Sequence, residues 1–386
     1  MGHFIPLSIP NLSGTEEKYV MEAVRSQWVS TAGGSIIEFE KNFAAYMGME
    51  DACACQSGSA GLHLCLRHFG VGSDDIVLVP TLTFIATVNA VMYQSATPVF
   101  FDCDEHLCMD VGQVQEYIDT RCTFSDGILK ERDSRKTVKA MIPVHVFGDL
   151  CDMDALMDLA EQYHLAVIED ATEALGSVVE QGRYAGKLAG SIGHAGVFSF
   201  NGNKIITTGG GGMVVSNRQG TVNHIRYLSQ QAKDDALYFI HGEYGYNYRM
   251  TNLQAALGLA QLEQLEGFIA VKRKNHALYT ALLKQNPLGH ILPFGAAKSN
   301  KWFYSFCLHN PSAEKRDALI HYLNDHQVQV RPIWKLNHMQ TPFQKYSAMP
   351  TPKAEAFYNS IVNLPCSTSL TEAEVHTVCD LIQNFA

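Results

Sequence analysis

Phe198-Ser199-Phe200-Asn201-Gly202-Asn203-Lys204-Ile205-Ile206-Thr207-Thr208-Gly209-Gly210-Gly211-Gly212 sets one lysine between the end of an apolar strand and a run of four glycines. Packing does not call for a lysine there. Glycine has no side-chain bulk and tolerates positive φ, so such a run lets the backbone fold tightly beside a bulky ligand ring. Taken alone, the same residues also suit a surface lysine next to a flexible loop.

On both sides of this stretch, from about residue 50 to about residue 215, short apolar runs alternate with amphipathic helical segments, the rhythm of a sheet wrapped by helices. Strands are predicted over 51–55, 76–80, 97–102, 140–145, 166–169, 196–200 and 212–216. Several are apolar throughout, as strands covered on both faces are. Helices fit between them at 59–69, 84–93 and 152–163, the last behind an Asp N-cap. A long helical region over 252–283, rich in Ala, Leu, Gln and Glu, leads toward short strands at 302–308 and 328–331 and a closing helix at 372–384. With 386 residues the chain exceeds one simple core. An α/β fold is predicted, with a large domain over 1–265 and a smaller C-terminal α+β domain over 266–386.

Hydrophobic residues at 46% and charged residues at 18% fit a compact globular chain. The formal charge of -10 and the pI near 5.9 argue against a nucleic-acid-binding surface. No apolar run is long enough for a bilayer span, and the opening residues through Pro6 lack a signal-peptide pattern, so a cytoplasmic protein without membrane association is expected. The ten cysteines are scattered, and Cys53 and Cys55 are spaced as strand neighbours rather than as a zinc knuckle. Reduced core thiols and no metal site are the expectation.

Two further signals accompany Lys204. The strand Ala166-Val167-Ile168-Glu169-Asp170-Ala171-Thr172-Glu173 ends in carboxylates, on the edge where α/β sheets bind ligands. An Asp there also serves as a helix cap or a magnesium ligand. If the ligand is pyridoxal 5′-phosphate (PLP), a carboxylate such as Asp170 keeps the pyridine nitrogen protonated and the ring electron-poor. Small residues in Gln56-Ser57-Gly58-Ser59-Ala60-Gly61, between a strand and a helix, present backbone N–H groups suited to a phosphate, although many such turns bind nothing.

With these come Trp28-Val29-Ser30-Thr31, Pro80-Thr81-Leu82-Thr83-Phe84-Ile85-Ala86-Thr87, Pro143-Val144-His145-Val146-Phe147-Gly148 and Gly245-Tyr246-Asn247-Tyr248-Arg249-Met250-Thr251-Asn252. In this order the motifs resemble the sugar aminotransferases of antibiotic and surface-sugar biosynthesis over nearly the whole chain. The resemblance implies the aspartate-aminotransferase fold of type I, with a mostly parallel central sheet, and PLP as cofactor. It implies that Lys204 is the Schiff-base lysine and proton shuttle, and that Asp170 partners the pyridinium. The backbone of Ser59 and Ala60 with the Ser199 hydroxyl would hold the phosphate, Phe84 would stack on the ring, and Glu173 would lie near the phenolic oxygen. Asn247 would reach the phosphate in a neighbouring subunit, so a homodimer is implied. A lysine where the related dehydratases carry histidine points to amino transfer.

The resemblance suggests L-glutamate as amino donor and a keto-sugar as acceptor. Residues 201–212 with Arg331-Pro332-Ile333-Trp334 look most like the bacillosamine and legionaminic acid branch, which acts on UDP-linked 4-keto-6-deoxy-N-acetylhexosamines. Arg331, Trp334 and Trp28 are candidates for the substrate mouth, with Thr31, Arg249 and His338 beside them, because Arg suits a phosphate and Trp a sugar face. Ordinary packing accounts for each of them equally well. An aldehyde on an eight-carbon keto-acid sugar is the alternative acceptor, and a PLP-binding regulator without turnover is the alternative from another class.

Overall fold

The computed structural model describes residues 3–295 and 297–385. Its main sheet runs in the order Ala52–Cys55, Gly212–Val215, Ala195–Ser199, Ala166–Asp170, Thr137–Met141, Asp75–Pro80, Thr97–Phe101. The last five are mutually parallel. Gly212–Val215 is antiparallel to both its neighbours, so of these seven strands it alone runs against the rest. The hairpin Cys122–Ser125 and Ile128–Glu131 joins through Lys130 opposite Thr137.

Strand alternation explains the layers. Ile76 and Leu78 face one core with Val99, Val114, Leu156 and Val167, while Val77 and Val79 face another with Leu62, Leu64, Val88 and Val197. Each such fully buried side chain contributes about 1.5–3 kcal/mol over its exposed state. The run of apolar residues in the sequence is this two-sided burial. Asp152 caps Met153–Tyr163 as anticipated, accepting the Ala155 N–H at 3.1 Å.

Several boundaries differ from the sequence reading. The helix expected from residue 84 begins at Ala86, which leaves Phe84 outside it and 53% exposed. The strand expected over 140–145 is Thr137–Met141, because Pro143 has no N–H to continue a ladder. The strand expected over 328–331 is Arg331–Pro332, paired only with Ile361–Leu364. Two helices before residue 50, Glu16–Arg25 and Gly34–Met47, have no counterpart in the sequence reading. Both pack on Asn252–Leu282, where Gln261 and Gln264 each donate to Glu16 at 2.6 Å.

Beyond that helix, Gly289–Ile291, Tyr304–Leu308, Ile361–Leu364 and Arg331–Pro332 form an antiparallel four-stranded sheet. Helix Ala313–Asp325 packs on it, and Glu372–Asn384 packs on that helix and on Asn252–Leu282. All ten cysteines are free and buried. Among the described residues no helix is long and apolar enough to cross a membrane, and no cluster of metal-ligating side chains occurs. Met1, Gly2 and Ala386, at the ends of the expected domains, lie outside the described residues.

Candidate active site

A cavity of about 250 Å³ opens at the carboxyl edge of the parallel strands. Five of the strands deliver wall just past their own ends: Ser57 to Ser59, then Thr83, Phe84, Ala86 and Thr87, Val144, Thr172 and Glu173, and Asn201, Asn203 and Lys204. Loops after parallel strands converge on that edge by topology.

One end of the cavity is the start of helix Gly58–His68. Ser57 caps it by accepting the Ala60 N–H at 3.0 Å. Ala60, expected beside Ser59 at the phosphate, is thus committed to the cap, and Gly58 lines the cavity in its place. The N–H groups of Gly58 and Ser59 belong to the first helical turn, which has no acceptors of its own, and Ser199 lines the same cavity. Space is tight here: a Cβ on Gly58 would lie 3.0 Å from both Ser199 Cβ and Thr172 Cγ2. On Gly212 it would lie 2.6 Å from the Ser57 carbonyl and 2.8 Å from the Gly58 nitrogen. Gly212→Ala is therefore expected to push the helix start out of place. Overpacking of about 1–3 kcal/mol corresponds to roughly five- to 150-fold weaker cofactor binding, measurable by titrating the cofactor-free chain.

Asp170 ends its strand 3% exposed. Its Oδ2 accepts the Thr87 hydroxyl at 2.7 Å and its Oδ1 the Thr172 N–H at 3.2 Å. Thr83 lies 3.3 Å behind Thr87, hydroxyl to hydroxyl. The neighbouring Glu169 points to the opposite face, as strand geometry demands. There it accepts N–H groups from Gly190 at 2.8 Å and Ile192 at 2.7 Å and meets His145 Nε2 at 2.9 Å, so its role is to hold loops.

Lys204 Nζ lies 3.5 Å from Glu173 Oε1 and 4.1 Å from the Trp302 ring centroid. Glu173 Oε2 accepts the Phe147 N–H at 2.9 Å. Burial pushes the Glu173 carboxyl up from 4.5 to about 7, against the opposing pull of Lys204 and that N–H. The fold thus retains the proton that the unfolded chain would release. Stability from this group is complete below pH 4.5 and is lost as the pH rises through about 7. Relative to Glu173→Gln, the cofactor-free wild type is expected to lose melting temperature between pH 4.5 and 7, followed by calorimetry at constant ionic strength.

Of the sequence candidates, Ser59, Phe84, Asp170, Glu173, Ser199, Lys204 and Trp334 line this one cavity. Phe84 and Trp334 sit 6.5 Å apart, centroid to centroid, as an aromatic wall. Thr31, Asn247 and Arg249 line a different hollow of about 460 Å³. Arg249 is 7% exposed and its guanidinium clasps Glu40, at 3.1 Å for Nη2, which accounts for it as a packed ion pair. Trp28 and Arg331 are exposed and do not line the Lys204 cavity. His338 Nδ1 is 2.6 Å from the Thr81 hydroxyl, and burial holds its imidazole below the ordinary value. The sequence reading gives no role to Trp302, Thr83, Thr87 or Thr172. The Thr-x-x-x-Thr spacing of residues 83 and 87 signals a shared face, whereas nothing local marks Trp302, which a distant segment brings in.

The donor set fits PLP: a helix N-terminus and a hydroxyl for phosphate, a buried carboxylate for a ring nitrogen, an aromatic face and one amine. Residues 10–383 match the DegT/DnrJ/EryC1/StrS aminotransferase family. The GDP-perosamine synthase of Caulobacter vibrioides is 37% identical over 377 residues, covering 97% of this chain and 96% of that protein. The GDP-perosamine synthase of Escherichia coli O157:H7 is 37% identical over 387 residues, covering 99% and 98%. DesI, solved in the presence of its TDP-sugar product, superimposes with a TM-score of 0.87 at 27% identity, covering 99% of this chain and 93% of that one. Fold, cavity and kinship agree, and the chain belongs to the DegT/DnrJ/EryC1/StrS family as a PLP-dependent sugar aminotransferase.

Proposed function

We propose that this chain moves an amino group from L-glutamate to C4 of a nucleotide-linked 4-keto-6-deoxy sugar, in the synthesis of a surface polysaccharide sugar. The observation that carries the reading is the convergence of Lys204, Glu173, Asp170 and the Gly58–His68 helix start on one cavity. PLP, when bound, accepts the electron pair of the carbon that bears the amine. Lys204 would anchor the cofactor covalently, and its Nζ would then take the proton from that carbon and deliver it to the cofactor side. Asp170, fixed by Thr87 and Thr172, holds the ring nitrogen in its charged form. Gly58, Ser59 and Ser199 bind the phosphate, Phe84 orients the ring plane, and Glu173 keeps Lys204 beside the reacting atoms.

Relatives named GDP-perosamine synthase at 37% identity support a GDP-linked sugar aminated at C4. The UDP-linked N-acetyl sugar is the second reading, supported by residues 201–212 with Arg331 to Trp334, of which Trp334 lines the cavity mouth. A homodimer also belongs to the proposal. Asn247 lies outside its own Lys204 cavity, and Leu237, Tyr238, Phe239 and Tyr244 beside it are 69% to 86% exposed.

L-Glutamate is expected to bleach the visible absorbance of the bound cofactor, after which a panel of GDP-linked, UDP-linked and free octulosonate sugars is followed by mass spectrometry. Amination of the GDP-linked ketone is expected. Conversion of the UDP-linked sugar alone transfers the assignment to that base, and conversion of octulosonate alone ends the nucleotide reading. Absence of bleaching would leave a binder without turnover. Light scattering that gives a monomer would remove the dimer.

A further inference from the structure

We propose that Trp302 is a positioning residue for amino transfer, its indole face holding the Lys204 amine against the Glu173 carboxylate within a frame that Asn300 closes. The inference rests on the reading of Lys204 as the amine that bonds the cofactor.

The amine lies 4.1 Å from the centroid of the Trp302 ring and 3.5 Å from Glu173 Oε1. An aromatic face attracts a cation within about 6 Å of its centroid, and more strongly where water is excluded. Trp302 is only 2% exposed. Its Nε1 donates to the carbonyl of Asn203 at 2.9 Å, so the ring grips the lysine's own backbone as well as its tip.

Trp302 and Glu173 come from distant parts of the chain, yet they are bonded into one loop. Asn300 Nδ2 donates to the carbonyls of Glu173 and Leu175, each at 2.9 Å, while its Oδ1 accepts the Trp302 N–H at 2.9 Å. From the other side Phe147 gives its N–H to Glu173 Oε2 at 2.9 Å, and its carbonyl accepts the Trp302 N–H at 3.1 Å. Phe147 does this with φ 54°, a left-handed backbone that a bulky side chain adopts only under constraint. Gly148 follows with φ 94°, and a Cβ there would collide with Asn300 Oδ1 at 2.0 Å. Strain, a spatially required glycine and a fully buried amide meet at one point behind the lysine. Packing alone would ask for none of the three. When Lys204 lets go of the cofactor it must stay beside the reacting carbon, and small misplacements of such groups are costly to rate.

The test compares Trp302→Leu, which removes the ring, with Trp302→Phe, which keeps a face and loses the Nε1 bond. Trp302→Leu is expected to lower kcat about 10²-fold and Trp302→Phe only a fewfold, with KM for L-glutamate nearly constant in both. In cofactor-free protein, the rate at which PLP with borohydride marks Lys204, read by peptide mass spectrometry, is expected to fall about tenfold in the leucine variant. Asn300→Asp, which keeps the acceptor for Trp302 and loses both donations, is expected to move both readouts the same way. Leucine and wild-type rates that agree would overturn the proposal, as would a folded phenylalanine variant no better than leucine. If leucine prevents folding, Trp302→Phe and Trp302→Tyr carry the test, and loss of Lys204 marking in them overturns it. Wild-type protein marked at a lysine other than Lys204 overturns the underlying assignment instead.

Discussion

Replacing Lys204 with alanine is expected to slow amino transfer by about 10³-fold or more, because proton transfer by a placed side chain contributes about 10²–10⁴ in rate. The fold has little reason to change. Lys204 sits in a turn after its strand with its side chain 12% exposed, and its backbone N–H bond to Asn201 does not depend on the side chain. Trp302 keeps its bond to Asn203. The measurement is a single turnover with L-glutamate, repeated with a small primary amine in solution. Partial restoration by the added amine is the signature of a missing base, and a variant within tenfold of wild type would remove Lys204 from the reaction.

Asp170→Asn comes next in size. The substitution keeps the shape and both hydrogen bonds, since an amide oxygen can accept the Thr172 N–H while the amide nitrogen donates to the Thr87 hydroxyl. What disappears is the negative charge that, on the proposed function, would face the ring nitrogen, at a position 3% exposed. Removing one partner of a buried charge pair costs about 3–5 kcal/mol, which is roughly 150- to 5,000-fold in rate if the cost falls on the transition state. The slowed half-reaction with L-glutamate, beside a nearly unchanged melting temperature, separates this from damage to the fold. A rate within a fewfold of wild type would mean that another group charges the ring.

What the sequence made legible follows from locality. Lys204, Asp170 and Ser59 each stand at the end of an apolar strand, so a pattern read over a dozen residues locates them. Their common cavity follows because parallel strands put such ends on one edge. Trp302 and Asn300 could not be read this way. Their importance comes from a segment that returns across the sheet from the C-terminal part of the chain, and no periodicity encodes that approach. The helix Gly34–Met47 was equally quiet, since it starts behind Gly33 without a side-chain cap. Ala60 shows a finer limit, because residue types alone do not say which N–H of a small-residue turn the cap consumes. Asn247 and Thr31 line a hollow of their own, separate from the Lys204 cavity of the same chain.

The placement of Gly212–Val215 between Ala52–Cys55 and Ala195–Ser199 bears on how the protein is made. On the ribosome, the first strand to emerge has to wait for the last of the seven, and meanwhile it offers an apolar ribbon with no ladder to join. The two helices near the amino terminus wait longer still, for the surface of Asn252–Leu282. Such late, long-range closure makes for slow folding and a prolonged hazard of aggregation. Nascent chains released before about residue 260 should depend heavily on chaperones, whereas the full-length chain, once its sheet is zipped, should not.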